Sequence, residues 1–353
     1  MITYIYIKNI QNINSMGVSL SFNESQNILL GPNASGKSNI LKSLEFFKQL
    51  ILNQKTLELF PYRFSENDRV SEIEVVFKIN KTYYRYHIEF KFDLSDVVFK
   101  KESFDKSSDG RDFINIIKRE HEEVAYGNHI YNIEKNISSI HFLNMFNKSD
   151  DLQEFYNFID KNFHTIYLND LDIKDILMNS YQEKELNKTF AILSEKLKEL
   201  QIGIESIDVT PIRYGKRDIA LYHSDLEQLL SIDLESKGTR QLILILYFMF
   251  VLKSKVLVID EAENSIHPSI IKKLLTVFLE SKSQLIFSTH SRELMEIDIP
   301  YRKRKNKKMF FTQKSDRGYV QVSDDDIFVN IKDNIYRSYY LELFSCFTNH
   351  VNI

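Results

Sequence analysis

The sequence predicts an α/β fold: a parallel sheet flanked by helices, with an antiparallel β part toward the N-terminal end. Three observations carry this. The runs Val256–Ile259 and Leu285–Phe287 are continuous and apolar, as strands buried on both faces are, and a helical pattern between them completes a βαβ unit. An apolar run ending at Leu30 passes through a glycine-containing loop into another helical pattern. On either side of that loop, apolar and polar residues alternate with the period of a half-buried strand.

Taken in order, Ile5, Ile7 and Ile10 carry the first strand, and Val18, Leu20 and Phe22 the second, with Gly17 as the turn between them. Asn27 to Leu30 is a short strand, and Lys37 to Leu50 a helix whose apolar face is Ile40, Leu41, Leu44 and Phe47. Ser71 to Phe92 reads as a hairpin. Ile73, Val75, Phe77 and Ile79 alternate, then Tyr84, Tyr86, Ile88, Phe90 and Phe92, about a turn at Asn80-Lys81. Its tyrosines fit a half-buried sheet face better than a base-stacking platform. From about 93 to 180 the chain is polar, with aromatic islands such as Phe142 to Phe146 and a helical stretch expected over Phe155 to Phe163. An inserted α/β lobe is expected there.

Leu186, Phe190, Leu193, Leu197 and Leu200 then form a helical stripe stopped by Gly203. It is expected to be a packing helix, because the chain between the first helix and residue 230 is too short for long coiled-coil arms. Strands are expected at Ile204–Val209 and Ile219–Tyr222, an apolar helix after Gln241 and through Leu252, another over Ser269–Leu279, and closing strands at Lys308–Thr312 and Tyr319–Val322. A weakly amphipathic stretch occupies 335–347. The expected division is 1–100 and 204–353 as the two parts of one core, with 101–203 inserted and partly helical.

Composition bounds the function. The chain has 353 residues, of which 43% are apolar, enough for a large core. A formal net charge of −3 leaves no global electrostatic footprint for nucleic acid. The single cysteine, Cys346, excludes an internal disulfide framework and cysteine-based zinc sites. Met1 leads straight into strand-like alternation, so no signal peptide is expected. The longest apolar run, Leu242 to Leu252, falls short of the ~18 residues a membrane span needs. A soluble, cytoplasmic protein with no membrane partner is the expectation.

The chemistry begins at Gly31-Pro32-Asn33-Ala34-Ser35-Gly36-Lys37-Ser38, the spacing Gly-x-x-x-x-Gly-Lys-Ser of a phosphate-binding P-loop. Backbone amides must point inward around a phosphate, and glycines allow the turn without a Cβ clash. The following helix adds its N-terminal donors and positive dipole end. Lys37 can then reach the β/γ-phosphates of ATP, and the Ser38 hydroxyl can ligate Mg2+. Asp260, at the end of a buried strand, is placed to hold the same ion, and Glu261 to orient or deprotonate an attacking water. The alternative for these acids is a pair capping the next helix. His290 ends the following strand and can bond the terminal phosphate and sense its loss; alone, such a histidine is usually structural. Ser236-x-Gly238-Thr239 opens a helix and offers a second anion site, which has a use if it closes over ATP held by a neighbouring subunit.

These motifs, together with Glu235-Ser236-Lys237-Gly238-Thr239-Arg240, Val258 to Pro268 and Ser288-Thr289-His290-Ser291, resemble the ABC-type ATPases of the SMC, RecF and OLD group. Within it they look most like the small AAA-family ATPases of bacterial anti-phage systems (the ATPase subunits of PARIS, Septu and some retron systems). The resemblance spans both ends of the chain and leaves about 100–180 without a motif. It implies Walker A residues at Lys37 and Ser38, and Walker B and catalytic base at Asp260 and Glu261. It further implies a signature element at Ser236 and Gly238, a switch histidine at His290, and a homodimer or higher homo-oligomer around shared Mg2+-ATP. Ser-Lys-Gly-Thr departs from the transporter-type Ser-Gly-Gly-Gln, and neither Gln49 nor Gln54 sits where a Q-loop glutamine would. Residues 291–353 are too few for the TOPRIM domain of OLD nucleases, so an effector protein is expected in trans, and Asp324-Asp325-Asp326 is expected to be a solvated turn.

Arg302 to Lys308 holds six cations in seven residues and could meet a nucleic-acid backbone or an acidic partner, or be a solvated loop. The resemblance implies a nucleotide-gated sensor or scaffold subunit of a defence system. A RecF-like DNA-repair ATPase and an ATP-dependent scaffold with negligible turnover are the rivals.

Overall fold

The computed structural model describes residues 1–22, 25–54, 70–93, 96–146, 149–166, 173–178, 183–211, 217–226, 229–263, 266–280, 282–290, 307–315 and 320–324. In chain order these form β1 (Ile2–Lys8), β2 (Val18–Ser21), β3 (Gln26–Leu30), α1 (Lys37–Leu52), β4 (Ser71–Ile79), β5 (Thr82–Asp93), β6 (Asp96–Ser107), β7 (Ile114–Glu120), β8 (Glu123–Tyr126) and β9 (His129–Asn132). There follow α2 (Ser139–Phe146), α3 (Asp150–Lys161), β10 (Phe163–Ile166), α4 (Ile173–Met178), α5 (Glu183–Glu199), β11 (Ile204–Pro211), β12 (Arg217–His223) and β13 (Leu229–Ser231). The last are α6 (Lys237–Leu246), β14 (Val256–Ile259), α7 (Pro268–Glu280), β15 (Gln284–Thr289), β16 (Lys307–Lys314) and β17 (Val320–Asp324). The expected stretch 335–347, most of the basic run (302–306) and residues 325–326 of the acidic turn lie outside the described residues.

Two compact units emerge, one of residues 1–161, 286–290 and those described from 307 on, the other of 162–285. The first unit holds an eight-stranded sheet in the order β2-β1-β4-β5-β6-β7-β8-β9. All of its pairings are antiparallel, with registers such as Ile5↔Leu20 and Ile73↔Ile88. The alternation read from sequence sends Ile5, Ile7, Ile73, Val75, Phe77, Tyr86, Ile88 and Phe90 into the core. Tyr86 is 0% exposed, so the tyrosine-rich strand is a core strand. Helix α1 packs here through Phe47, whose ring lies 6.1 Å from Phe77 and 5.6 Å from Tyr86. Phe155 of α3 closes the cluster, 5.4 Å from Phe77 and 4.8 Å from Phe104. Such rings add about 0.5–1.5 kcal/mol per pair beyond burial, and they hold the helix that follows the glycine loop.

The stretch after Asp93 extends this sheet through β6 to β9. It carries a buried charge network. Arg119, 0% exposed, donates from Nη1 to Glu102 Oε2 at 2.7 Å and to the Ile137 carbonyl at 2.6 Å. Its Nη2 donates to the Glu134 carbonyl at 3.0 Å. Glu102 also accepts from the Tyr86 hydroxyl and from the Ser139 amide and hydroxyl. A buried ion pair survives when its remaining donors and acceptors are met, as they are here. The network fastens β7 and the start of α2 to the sheet.

A second sheet in this unit sets β15 beside β3 and β3 beside β16, with β17 at the edge. Strand β3 runs parallel to β16, pairing Gln26↔Lys307 and Leu30↔Phe311, and β16 and β17 form an antiparallel hairpin. Lys308, the last of the basic run, is 8% exposed, with its Nζ 5.3 Å over the Phe310 ring.

In the second unit β10 runs parallel to β14, pairing Phe163↔Val256 through Ile166↔Ile259. The helix expected over Phe155 to Phe163 ends instead at Lys161, and Phe163, fully buried, opens this strand. Strands β11, β12 and β13 make an antiparallel sheet covered by α5, whose Ser194 hydroxyl accepts from the Ile207 amide at 3.0 Å. The predicted stripe Leu186, Phe190, Leu193, Leu197 and Leu200 is buried. The helix expected through Leu252 is α6 up to Leu246 and a π-helical turn over Tyr247–Val251. Among the described residues no helix is long and apolar enough to cross a membrane.

Candidate functional site

The glycine loop is built by what flanks it. Ile28, Leu29 and Leu30 are buried and fix β3. At Gly31 a Cβ would stand 2.2 Å from the Thr312 carbonyl oxygen, so the close approach of β16 demands glycine. The chain then doubles back through two left-handed residues, Ala34 at φ 61° and Gly36 at φ 99°. Asn33 and Ala34 are exposed at the loop tip, while Ser35 is 0% exposed. Gly36 caps α1 without a side chain, and the first turn of α1 carries no acid. The positive dipole end of α1 therefore lies at the loop.

Lys37 is 4% exposed, and its Nζ donates to the carbonyls of Gly31 at 2.8 Å and Pro32 at 3.0 Å. The cation thus sits on the loop's own acceptors, within the concavity. Ser38, half-buried, is the next residue of the helix. These parts fit an anionic phosphate: a buried lysine, left-handed backbone, and a helix start with no competing carboxylate. His290 is exposed and directly follows β15, the strand beside β3.

The other predicted residues come together in the second unit. The Ser236 hydroxyl accepts from the Thr239 amide at 3.0 Å and caps α6, and Gly238 is buried in its first turn. Glu235, just before the cap, is held by His223, with Nε2 and Oε1 2.5 Å apart. Lys174 braces the same approach through Asp218 at 2.7 Å and through Asp233, and the Asp218 carboxylate raises the pKa of its ammonium. Asp260 follows the buried strand β14, and its amide donates to the Ile166 carbonyl at 3.2 Å. Glu261 comes next in a left-handed conformation, φ 50°.

Gln241 joins the two halves of this group. Its Nε2 donates to the carbonyls of Glu261 and Ala262, each at 3.3 Å, and its Oε1 is buried without a hydrogen-bond partner. A lone amide heading the apolar run Leu242 to Leu246 was a signal available in the sequence. Thr312, which meets Ser35 across 2.6 Å, gave none. Among the described residues no three His, Cys, Asp or Glu side chains are grouped for a metal ion. Mg2+ ordinarily takes one or two protein oxygens, of which the Ser38 hydroxyl could be one, and completes its shell with phosphate oxygens and water.

Residues 27–296 match the family model described as "AAA domain, putative AbiEii toxin, Type IV TA system". No curated protein matches the sequence. Among solved structures the chain is similar to an SMC head bound to the C-winged helix domain of ScpA, at 16% identity and a TM-score of 0.58, over 92% of this chain and 97% of that one. It is also similar to the SMC head domain from Thermotoga maritima, at 15% identity and a TM-score of 0.51, over 92% and 98%. At these identities the likeness is one of fold. The fold expected from the sequence, an ABC-type ATPase core with a parallel sheet and an antiparallel β part, is the fold of those heads.

Proposed function

The chain belongs to the AAA-domain family that includes putative AbiEii toxins of type IV toxin–antitoxin systems, and from that premise we propose that it binds and hydrolyses ATP as a nucleotide-gated switch. The observation that carries the reading is the loop from Gly31 to Ser38, with its left-handed Ala34 and Gly36 and a buried Lys37 on the loop carbonyls. Asn33, Ala34, Ser35 and Gly36 cradle phosphate with backbone amides, and Lys37 neutralises the β/γ-phosphates. Ser38 and, on the motif resemblance, Asp260 would be the protein ligands of Mg2+, and that ion would supply charge neutralisation at the transferred phosphoryl group. Glu261 takes the proton of the attacking water, and His290 bonds the terminal phosphate and relaxes on its release.

The exposed cap Ser236, with Gly238 behind it, serves the nucleotide of a second copy, giving a homodimer with two shared sites. The family's AbiEii-like description supports a role in a bacterial anti-phage system, and the motif resemblance puts its effector in another chain. The SMC head solved with a domain of ScpA supports a fold that accepts a protein partner. ATP turnover by the pure chain, alone and with linear duplex DNA, tests the reading. Turnover abolished by Lys37→Ala and indifferent to DNA is expected; no nucleotide binding by the wild-type chain would refute it. Several-fold stimulation by DNA would replace the defence role with a DNA-engaging clamp.

A further inference from the structure

We propose that Thr312, outside all of the nucleotide-binding motifs in the sequence, is a positioning residue for the glycine loop, and that the β16–β17 hairpin is the loop's outer wall. The proposal rests on the P-loop reading for its consequence in nucleotide binding, and on geometry alone for its mechanics.

Several contacts converge. Thr312 is 2% exposed, its hydroxyl lies 2.6 Å from the Ser35 hydroxyl, and it also donates to the Leu30 carbonyl at 3.0 Å. Because that proton goes to Leu30, the Ser35 hydroxyl is the donor of the shorter bond, and one hydroxyl of β16 holds both the last residue of β3 and the middle of the loop. The main chain of Thr312 fills the space over Gly31, where a Cβ would stand 2.2 Å from its carbonyl oxygen. Val320 of β17 fills the space over Gly36 in the same way, with Cγ2 2.2 Å from where a Cβ would stand. The hairpin is tied down in turn: the Val320 amide donates to the Asn12 carbonyl at 3.1 Å, and the Asn12 side chain accepts from Asn39 of α1 at 2.6 Å. Both loop glycines are therefore set by the hairpin as well as by backbone geometry.

A buried hydroxyl that loses its acceptor keeps its desolvation cost. Thr312→Val replaces the acceptor with a methyl group, strands the Ser35 hydroxyl and frees the loop. Thr312→Ser keeps the hydroxyl. The loop's amides would then spend part of their time out of position, and affinity would fall by the fraction lost.

The test is amide hydrogen exchange of residues 33–38 in the nucleotide-free protein, paired with the Kd for Mg2+-ATPγS, in wild type, Thr312→Val and Thr312→Ser. Thr312→Val is expected to speed exchange at those amides and weaken binding roughly fivefold to thirtyfold. Its kcat at saturating ATP should change less than its KM, and Thr312→Ser should restore both readouts. A folded Thr312→Val with wild-type exchange and affinity overturns the proposal, as does a serine variant that restores neither. If the valine variant does not fold, Ser35→Ala removes the same bond from the loop side and must give the same loss. If wild type binds no nucleotide, the P-loop reading fails, while the exchange data still decide whether Thr312 holds the loop.

Discussion

Gln241 Nε2 bridges two consecutive carbonyls, those of Glu261 and Ala262, at 3.3 Å each. The bridge spans the place where Glu261 adopts φ 50°, a conformation that costs a side-chain-bearing residue about 1–2 kcal/mol. Strain of this kind persists where neighbours over-determine it. Gln241→Leu is expected to lower kcat roughly tenfold, with KM for ATP changed little, because Glu261 would lose its aim and not its chemistry. Steady-state kinetics separate the two, and an unchanged kcat removes Gln241 from the machinery.

Glu261→Gln keeps the shape of the side chain and deletes its basicity. ATP should bind and stay, with turnover reduced by at least about a hundredfold. Retention of radiolabelled ATP on a desalting column reads this directly. Wild-type turnover in that variant would reassign the base.

Lys37→Ala removes a cation whose Nζ lies 2.8 Å and 3.0 Å from the loop carbonyls. Binding of a fluorescent ATP analogue should fall below detection while the melting temperature stays near that of wild type, since the carbonyls can turn to water. Unchanged affinity would contradict the P-loop assignment.

Arg119→Ala leaves Glu102 charged, buried and without its cation. A loss of about 3–5 kcal/mol in unfolding free energy is expected, measured by urea titration. Combining it with Glu102→Gln should recover part of the loss. If the double variant is no better than the single, the cost lies in lost packing and not in stranded charge.

Glu72 sits between His87, whose Nε2 is 2.9 Å from Oε1, and Lys8, whose Nζ is 3.1 Å from Oε2. Hydrogen bonding from His87, then from Lys8, holds the carboxyl below its ordinary value of 4.5, against the opposing effect of burial. A depressed carboxylate pKa contributes stability that is complete above the unfolded value and lost as pH falls through the folded one. Glu72→Gln should therefore melt below wild type at pH 6, with the gap closing below pH 4.5. A gap independent of pH would show that the pair contributes by packing.

The fold was legible wherever side-chain period tracked burial. Ile73, Val75 and Phe77 alternate and are buried, and the continuous run Val256 to Ile259 is a strand buried throughout. Strands β6 to β9 were not legible, for two physical reasons. Their interior holds Glu102, Asp105 and Arg119, so the core there is built of charges that read as loop. Their far edge carries exposed residues on both faces, as at His129 and Ile130. The candidate site divides similarly. Gly31, Gly36 and Lys37 are spaced locally and could be read. Thr312 acts through a contact across 277 residues, which no local pattern records.

That separation has a temporal side. A loop whose wall lies 277 residues downstream leaves the ribosome long before the wall does. At about 5–20 residues per second, the interval is roughly a quarter of a minute to a minute. During it β3 has no β16 to pair with, and Gly31 and Gly36 face water. A nascent chain in that interval would have the motif and not its shape. It would make a poor nucleotide binder until β16 and β17 have been made, and the switch would stay silent on copies that lack them.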